Sequence, residues 1–541
     1  MPASEESDMR YLLALLAFAM MFPSPECHAA DTLSLKAAGH DSRIDLKWQP
    51  SREPGFVGFN VYRSADPTGP FTRLNDRPDK VHVYSDFIGE NEKTYFYRVG
   101  KVVRDEAWQT VESFSDIASA ATFEMTDEQL LTSVQEATFR YFWDHAHPVS
   151  GLAYERARTS RYPAGGRWRA CTTGGTGFGL IAIMVGSERK FVTREEAAQR
   201  VLTIVTFLQE KAERFHGAWS HWLNGETGRV IPFPVGSYDN GADLVETSFL
   251  MQGMLTVRRY FDRDCEVESE IRRRITQLWH EVEWDFFLQH KDSRRLYWHW
   301  SPTHGWKINL AIVGHNECMI TYLLAIASPT HPIPAECYYK GWASNPRYGN
   351  GESYYGYKQW VGRPLGGPLF FTHYSFLGFD PRGKSDRYCN YFENHRNTTL
   401  INRAYCIENP KGHKGYGENT WGLTASDIYR GYRANAPGND DGTIAPTAAI
   451  SAMPYAPEES IAAMKHLYHT YGDQLWGEFG FHDAFNLNHN WFAESYLAID
   501  QGPIVCMIEN YRTGLCWRMF MSNPEIAPML RKIGWTIDSD R

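Results

Sequence analysis

Apolar and polar side chains alternate at every second position in three short segments near the start of the chain. The segments are Ile44–Trp48, Val57–Tyr62 and Thr94–Val99. A period of two is typical of strands with one buried face. The Gly, Pro and Asp residues of Ala65–Pro70 are typical of a turn between strands. The pattern predicts a small β-sandwich over residues 30–122.

From Met125 onward, the apolar residues recur with the period of an α-helix. Thr126 and Gln129 form a capping-box pattern at the start of the first helix. The predicted helices are Thr126–Trp143, Gly174–Glu188, Thr193–Arg214, Gly241–Tyr260, Glu266–Leu288, Val313–Ala327, Leu365–Phe376, Arg387–Ile407, Thr447–Tyr471, Phe492–Arg512 and Pro524–Ile533. Short connections alternate with long ones and strands are scarce, which argues against a TIM barrel. We therefore predict a mainly α domain over residues 123–541, an α/α toroid whose functional face lies where the long loops gather.

The first 29 residues have the pattern of a secretory signal peptide. Arg10 supplies positive charge, Tyr11–Phe22 is apolar, and Cys27–Ala29 is a small-x-small cleavage site. No later stretch reaches about 18 uninterrupted apolar residues, so we expect no transmembrane segment after removal of the signal. The expected location is periplasmic or secreted.

Composition adds two constraints. The 541 residues carry a net charge of −9, and without clustered Lys and Arg we expect no nucleic-acid partner. The 18 Trp, 30 Tyr and 30 Phe favour a carbohydrate substrate, because aromatic faces stack on sugar rings; an aromatic-rich helical core is the alternative. The cysteines show no metal-ligand spacing. Export would permit the disulfides Cys506–Cys516 or Cys389–Cys406, with buried free thiols as the alternative.

Three acidic residues, Asp239, Asp243 and Glu246, are spaced at i, i+4 and i+7 where a loop leads into a predicted helix. On a helix they would share one face. Capping explains Asp239. It does not explain Glu246, which lies beyond the first turn among apolar residues, where a carboxylate is costly without partners. We expect the cluster to face a substrate cleft.

Two further acidic residues lie on other predicted helices. Glu317 falls in the first turn of Val313–Ala327, where capping is the alternative role. Asp500 interrupts an apolar run, and we expect Gly502 and Pro503 to break the helix and leave the carboxylate at a cleft. Both are candidates for acid–base chemistry.

Polar and aromatic residues of the kind that bind sugar hydroxyls and ring faces cluster around these acids. The predicted substrate-binding residues are Asp239, Trp219, Trp222, Tyr416, Glu418, Trp421, Phe481, Trp491 and Gln501. Each is a weak signal alone, and together they fit a sugar-binding cleft.

Six segments within residues 125–535 together resemble one known family, the bacterial "putative glucoamylase" domains that include endo-β-1,2-glucanases. They are Thr172–Gly179, Asp239–Glu246, His315–Glu317, Gly415–Gly422, Asp441–Pro446 and Ala498–Pro503. The resemblance implies an (α/α)6 toroid and inverting hydrolysis of β-1,2-glucan, including sophoro-oligosaccharides and cyclic glucans. The older name of the family implies α-glucan cleavage instead. The order Trp48, Tyr62, Tyr95–Tyr97 resembles a fibronectin type III module, which marks a fold rather than an activity.

An inverting glycosidase needs a carboxylic acid and a carboxylate about 6.5–9.5 Å apart. Neighbours on one helix have Cβ atoms only about 5–6 Å apart, so we expect the pair on different helices. We assign Glu317 as general acid and Asp500 as base, which the resemblance also favours. Asp243 and Glu246 would bind sugar hydroxyls and raise the pKa of the acid. The roles can be exchanged among these four residues.

Other classes of function stay open at this stage. An exo-acting hydrolase, an α-glucan hydrolase or a transglycosylase would use the same acids. A polysaccharide lyase would recruit His315, Tyr416 or Arg403, but it needs positive charge to hold an anionic polymer. A non-catalytic glycan-binding protein needs no paired acids. We expect a monomer with a glucan as its partner, no cofactor and no metal.

We expect the mature protein to begin near Ala30, because the charged, apolar and small-residue series ends at Ala29. N-terminal sequencing of protein isolated from the native host measures this. An intact Met1 or Met9 in that protein would contradict the prediction.

Overall fold

The computed structural model describes residues 33–51, 53–158, 170–233 and 238–537, and the predicted signal peptide, residues 1–29, lies outside the described residues. The described chain forms two compact units. The first unit consists of residues 33–38, 46–83 and 94–120. The second unit consists of residues 39–45, 84–93 and 121–537. The division into domains at residue 122 stays a prediction.

The region before residue 122 is rich in strands, as the period-two pattern predicts. The strands are β1 (Leu35–His40), β2 (Arg43–Trp48), β3 (Phe56–Ser64), β4 (Thr72–Arg73), β5 (Val83–Phe87), β6 (Thr94–Arg104), β7 (Thr110–Phe114) and β8 (Ala118–Ala121). One sheet has the order β1–β2–β5, and the other has the order β4–β3–β6–β7 with β8 also paired to β6. In the first unit, the Trp48 ring meets the Phe59 ring edge to face at 5.5 Å in a core that includes Val61 and Val99.

The chain after residue 122 is mainly helical, which confirms the predicted fold class at this level. The helices are α1 (Asp127–Trp143), α2 (Thr173–Glu188), α3 (Arg194–Glu210), α4 (Leu244–Tyr260), α5 (Glu266–Glu281), α6 (Met319–Ala327), α7 (Cys337–Lys340), α8 (Tyr391–Glu408), α9 (Pro446–Ile450), α10 (Pro457–Leu475), α11 (Ala498–Arg512), α12 (Leu515–Met521) and α13 (Ile526–Ile533). Within the described ranges, no helix combines the length and apolar character needed to cross a membrane.

Short strands and 3-10 turns connect these helices. The strands are Arg156–Arg158, Ala170–Thr172, Arg214–Phe215, Ala218–Trp219, Trp222–Asn224, Val230–Ile231, Ala242–Asp243, His299–Trp300, Ser353–Tyr354, Tyr357–Lys358, Lys384–Ser385, Ala425–Ile428, Gly431–Ala434, Trp476–Gly477, Gly480–Phe481, Phe485–Asn486, Trp491–Phe492, Ser495–Leu497 and Thr536–Ile537. The 3-10 turns are Trp284–Leu288, Trp342–Ser344, Leu369–Thr372 and Tyr374–Phe376. The cysteines of the described residues are all free thiols, so neither suggested disulfide is formed.

Two helix predictions are wrong in ways that affect the acids. Leu365–Phe376 contains two 3-10 turns instead of an α-helix, because Gly366 and Gly367 adopt φ of +91° and +82° and the next residue is proline. The predicted helix Val313–Ala327 begins only at Met319, so Glu317 precedes it. The Asn316 side chain accepts a hydrogen bond from the Cys318 amide at 3.0 Å, a local bond that competes with the helix.

A third helix continues where the sequence predicts a break. Pro503 lies inside α11, which runs from Ala498 to Arg512. Its fixed φ is compatible with a helix, and the loss of one backbone donor is tolerated because the helix is buried on neighbouring helices. Gly502 permits this packing, since a Cβ added there would lie 2.4 Å from the Phe178 Cβ of α2.

Helix α2 occupies the centre of the second unit, with every residue from Thr173 to Ser187 buried. It lies backbone to backbone against α4. A Cβ at Gly177 would lie 2.3 Å from the Phe249 carbonyl oxygen, and a Cβ at Gly253 would lie 2.1 Å from the Gly177 carbonyl oxygen. Both positions therefore require glycine. The contact sets the distance between the first turns of α2 and α4. The first turn of α4 carries Glu246, and the first turn of α2 contains the Gly174 amide that donates to it.

Residues 39–45 also belong to the second unit through a buried arginine. The Arg43 guanidinium lies 4.4 Å from the centre of the Trp476 ring, and it donates to the Tyr468 hydroxyl at 2.8 Å and the Ser133 hydroxyl at 2.9 Å. Burial raises the pKa of Asp45, but Arg43, His40 and Arg140 together hold it below its usual value. A truncated protein that began at Ala121 would lack His40, Arg43 and Asp45 and therefore these contacts.

We expect Gly253→Ala to lower the free energy of unfolding by about 1–3 kcal/mol, because the added methyl overpacks the contact between α2 and α4. Thermal or urea unfolding measures the loss. The matched control is Gly349→Ala, since a Cβ at Gly349 meets no atom within 4 Å. Equal stability of the two variants would contradict the role of Gly253.

Candidate active site

Glu246 lies in the first turn of α4 and faces the first turn of α2. Its Oε2 accepts a hydrogen bond from the Gly174 amide at 2.7 Å. Backbone amides at a helix N-terminus favour negative charge. Burial raises the pKa of Glu246 to about 7, with a further raising contribution from Asp243 and an opposing one from His221. Glu246 is therefore poised to hold or release a proton near neutral pH.

Asp243 caps helix α4 and binds a histidine at the same time. Its Oδ1 accepts from the amides of Val245 at 3.0 Å and Glu246 at 2.9 Å. Its Oδ2 lies 3.1 Å from Nδ1 of His221. The prediction of one helical face for Asp239, Asp243 and Glu246 is wrong, because the strand Ala242–Asp243 precedes the helix and pairs with His299–Trp300.

The three acids nevertheless converge, through loop closure instead of helical periodicity. Nε2 of His299 lies 3.6 Å from carboxylate oxygens of both Asp239 and Asp243. Burial, followed by the negative charge of Asp243, raises the pKa of Asp239 to about 6. Burial lowers the pKa of His221, but Glu246 and Asp243 outweigh it and raise the value to about 10. His221 is therefore a cation at neutral pH, held by carboxylates.

The His221, Asp239 and Asp243 side chains also form the one group among the described residues with the spacing of a metal site. Their ligand-type atoms all lie within 4.8 Å of one another. A metal would have to displace the proton that His221 holds at neutral pH. These three side chains can therefore hold either a metal cation or the proton on His221. The contact of 3.1 Å between His221 Nδ1 and Asp243 Oδ2 fits the protonated histidine.

Glu317 lies at a cavity of about 530 Å³. The cavity is lined by Asn316, Glu317, Arg363, Pro364, Gly367, Pro368, Phe370, Phe371, Ala434, Ala436, Pro437 and Asn439. Burial raises the pKa of Glu317 to about 7, and Arg363 opposes the rise. The Ser375 hydroxyl donates to the Glu317 carbonyl and holds the backbone in place. A carboxylic acid that is protonated near neutral pH thus faces a space large enough for a small ligand.

Asp500 lies in the first turn of α11 and is almost completely buried. Its Oδ1 accepts from the Tyr374 hydroxyl at 3.4 Å. Burial, followed by the negative charge of Asp483, raises the pKa of Asp500 well above its usual value. Burial and Asp427 raise the pKa of Asp483 to about 7. Asp500 is therefore one member of a buried acidic group.

A β-hairpin joins this group to the cavity. Its strands are Ala425–Ile428 and Gly431–Ala434. On the first strand, the Asp427 amide donates to Asp483 Oδ2 at 2.6 Å. At the other end of the hairpin, Ala434 lines the cavity that contains Glu317. Burial raises the pKa of Tyr374, and the charges of Asp500 and Glu317 both add to the rise, so Tyr374 is near both acids.

Four predicted substrate-binding residues are wrong, because the structure places them in the core. Trp219, Trp421 and Phe481 have no exposed surface, and Gln501 is 1% exposed. Trp219 Nε1 donates to the Leu208 carbonyl at 3.3 Å, and Gln501 Nε2 donates to the Phe481 carbonyl at 3.0 Å. Trp421 Nε1 and Gln501 Oε1 have no hydrogen-bond partner among the described residues.

The other predicted binding residues have mixed positions. Trp222 is buried with its ring centre 5.0 Å from that of Phe233. The Tyr416 hydroxyl donates to Asp440 Oδ2 at 3.1 Å, and the exposed Glu418 accepts from Arg403 at 3.0 Å. Trp491 is partly exposed. Contact of these residues with a sugar stays a prediction.

The sequence interpretation missed several residues of the site. Asp427, His299 and Glu155 stand in segments without a predicted helical or strand period, Tyr374 stands in a segment wrongly predicted as an α-helix, and the partners of all four lie far along the chain. The Glu155 carbonyl accepts from the Ala498 amide at 3.1 Å, at the start of α11. The only available signal was chemical, namely acids and tyrosines in loops, and it applies equally to many surface residues.

Comparisons with known proteins agree with a sugar-cleaving site. The family model described as "putative glucoamylase" matches residues 309–524. An exo-β-1,2-glucooligosaccharide sophorohydrolase (non-reducing end) of Parabacteroides distasonis is 46% identical over 517 residues, which are 92% of this chain and 70% of that protein.

Two solved structures are also similar. A β-1,2-glucanase from Parabacteroides distasonis has a TM-score of 0.87 at 46% identity, over 93% of this chain and 72% of that one. An endo-β-1,2-glucanase from Chitinophaga pinensis, in complex with sophorotriose and glucose, has a TM-score of 0.73 at 50% identity, over 76% of this chain and 99% of that one.

Raised carboxyl pKa values beside a cavity, together with these relatives, define the protein as a glycoside hydrolase. Glycoside hydrolases as a class act on many different sugars. The chain belongs to the "putative glucoamylase" family, whose relatives above are enzymes of β-1,2-glucan hydrolysis.

We expect Asp243→Asn to lower the pKa of His221 by one unit or more while the protein stays folded. Asparagine can still cap α4, but it removes the carboxylate that holds the imidazolium. Titration of the His221 ring resonances by nuclear magnetic resonance measures the shift. Asp440→Asn, which alters a carboxylate beside His413, is the control and leaves His221 unchanged. An unaltered His221 titration in Asp243→Asn would show that Asp243 does not hold the imidazolium.

Proposed function

We propose that this enzyme hydrolyses β-1,2-linked glucan with inversion of the anomeric centre, using Glu317 as general acid and Asp500 as general base. The observation that carries the proposal is the position of Glu317, a carboxyl with a pKa raised to about 7, on the wall of a cavity of about 530 Å³. The β-1,2-glucan substrate is taken from the relatives, which are enzymes of β-1,2-glucan hydrolysis at 46% and 50% identity.

The acid and base lie on different elements, which is compatible with the carboxyl separation of about 6.5–9.5 Å in inverting enzymes. Glu317 gives its proton to the glycosidic oxygen as the bond to the anomeric carbon breaks. Asp500 takes a proton from the water whose oxygen bonds to that carbon. Glu317 precedes α6 and Asp500 begins α11, and both lie near Tyr374. In the proposal the two carboxyl groups act on opposite faces of a sugar.

Asp243 and Glu246 take a binding role in the proposal. Asp243 is ionised and holds the His221 cation at 3.1 Å, so the two supply an acceptor and a donor for sugar hydroxyls. Glu246 has a raised pKa and can donate or accept a hydrogen bond. Differential hydrogen bonding to hydroxyls stabilises the transition state of glycoside hydrolysis.

Exo cleavage is a second candidate, favoured by the extent of the alignment. The exo sophorohydrolase aligns with 92% of this chain, whereas the endo-β-1,2-glucanase aligns with 76%. The additional aligned length requires part of the strand-rich N-terminal region. We therefore propose release of a disaccharide from the non-reducing end.

The proposal also covers the fold of each region and the location of the enzyme. Neighbouring contacts of α9 with α11, α11 with α2, α2 with α4 and α4 with α6 support the (α/α)6 toroid. The strand order of residues 35–121 supports a fibronectin type III-like module with a spacer or docking role. We further propose that the enzyme is a monomer that is exported to the periplasm or the medium.

Glu317→Gln and Asp500→Asn are each expected to reduce kcat at least about 100-fold, since a single acid or base contributes about 10²–10⁴-fold. Wild-type activity should fall as the pH rises through about 7, because the Glu317 proton is then lost. Product release from linear β-1,2-gluco-oligosaccharides of defined length, followed by chromatography, measures rate and product size. Disaccharide as the first product indicates exo action, and a range of sizes indicates endo action.

The control is Glu270→Gln, which alters a surface carboxylate paired with Arg273 at 2.7 Å and should keep wild-type kcat. Fresh product should show the α anomer before mutarotation. The β anomer appearing first would mean retention, with a nucleophile about 5–5.5 Å from the acid. Near-wild-type activity of both site variants would reject the assignment.

A further inference from the structure

Two carboxyl groups, those of Asp483 and Asp500, meet in the interior of the second unit. Asp483 is 3% exposed and Asp500 is 2% exposed. One oxygen of each is satisfied: Asp483 Oδ2 accepts from the Asp427 amide at 2.6 Å, and Asp500 Oδ1 accepts from the Tyr374 hydroxyl at 3.4 Å. No N–H or O–H group of the described residues donates to the other two oxygens, Asp483 Oδ1 and Asp500 Oδ2.

The same two side chains lie close enough for their carboxyl groups to share a hydrogen bond. Two ionised carboxylates cannot form such a bond, because neither has a donor. Two like charges in contact inside a protein are also strongly unfavourable. A single proton between the two unsatisfied oxygens removes both problems, since it satisfies both atoms and leaves one negative charge.

We propose that Asp483 and Asp500 share one proton and act as a single carboxyl–carboxylate pair, with Asp483 as the positioning residue for Asp500. The proposal rests on the proposed function, in which Asp500 is the base. Asp483 then orients the reactive oxygen of Asp500, and the shared proton fixes the net charge of the pair at minus one.

The charged and titratable groups around the pair agree with this state. Arg156 is the near cation, but it forms an ion pair with Asp427, whose Oδ2 also accepts from the Ser495 hydroxyl. Its positive charge is therefore largely balanced by Asp427. Tyr374 faces the pair from the 3-10 turn after Thr372, and Tyr432 lies opposite Asp427 on the hairpin.

Glu155 is a further acid near the pair, since its carbonyl accepts a hydrogen bond at 3.1 Å from the Ala498 amide, two residues before Asp500. Glu317 acts on the same tyrosine as the pair, since the charges of Glu317, Asp500 and Asp483 all raise the pKa of Tyr374. Among the described residues, the surroundings thus contain more acids than cations, which favours retention of a proton by the pair.

The shared proton has a consequence for the reaction. In the resting state the pair carries one proton and one negative charge. The pair accepts a second proton when the O–H bond of the attacking water breaks, and it becomes neutral as the water oxygen bonds to the anomeric carbon. Glu317 protonates the departing oxygen in the same reaction. Release of the second proton to solvent and reprotonation of Glu317 restore the starting state.

The test is a titration of the full chain labelled with carboxyl-13C aspartate, followed by nuclear magnetic resonance. The Asp483 and Asp500 resonances are assigned by their loss in Asp483→Asn and Asp500→Asn. The ordinary pKa of an aspartate is about 3.9. In the wild type we expect the pair to keep one shared proton well above pH 4. In Asp483→Asn the Asp500 midpoint should fall by about one to three pH units, because the like charge is gone and the amide donates to Asp500.

Asp386→Asn is the matched control. Asp386 is also a carboxyl whose pKa is raised by burial, but its partners are the hydroxyls of Tyr391 at 2.9 Å and Tyr338 at 3.1 Å. This variant should leave the Asp500 resonance unchanged and keep kcat within about twofold of the wild type. Asp483→Asn should lower kcat at least about tenfold with little change in KM, since Asp483 acts on the base and not on the sugar.

Two results would overturn the proposal. One is a wild-type Asp500 resonance, assigned by its loss in Asp500→Asn, that shows no titration step above about pH 4; this measurement needs no folded Asp483 variant. The other is an unchanged Asp500 midpoint in a folded Asp483→Asn protein. Failure of the proposed function looks different: Asp500→Asn would then keep wild-type kcat, whatever the titration shows.

Discussion

The close approach of α2 to α4 and α11 is the constraint on which the rest of the second unit depends. Gly177 and Gly253 allow the backbones of α2 and α4 to touch, and Gly502 allows α11 to pack on Phe178. When two helices pack this closely, their crossing angle and the distance between their first turns are fixed. Gly174 can therefore donate to Glu246, and Asp500 enters the same region from α11. Larger side chains at the glycines would separate the elements that carry the acids.

Burial of many carboxyl groups in one place has a cost that the site meets in three ways. Asp243 is neutralised by His221, at 3.1 Å. Glu246 accepts from the amide of Gly174, at a helix N-terminus, and Asp427 pairs with Arg156. The remaining acids keep protons, as the raised pKa values of Glu317 and Asp483 indicate. A buried ionised carboxylate without such help would destabilise the fold by several kcal/mol.

The retained protons are useful as well as stabilising. A general acid must be protonated at the pH at which it works, and burial achieves this without a dedicated partner. The opposite behaviour of Asp243, only three residues from Glu246, shows how strongly local partners decide the outcome. Asp243 has two amide donors and a histidine cation, and its pKa is lowered although burial alone would raise it.

Sequence alone determined the change from strands to helices near residue 122, because the periods of two and 3.6 express the burial of one face of each element. It also identified Glu317, Asp500, Asp243 and Glu246 as acids that needed explanation. It placed Trp219 and Phe481 wrongly, because a buried ring and a sugar-binding ring have the same local pattern. Only the tertiary structure decided that Asp427, Asp483 and Asp500 meet. Residues so far apart along the chain are brought together by helix packing and loop closure, and their protonation follows from that proximity.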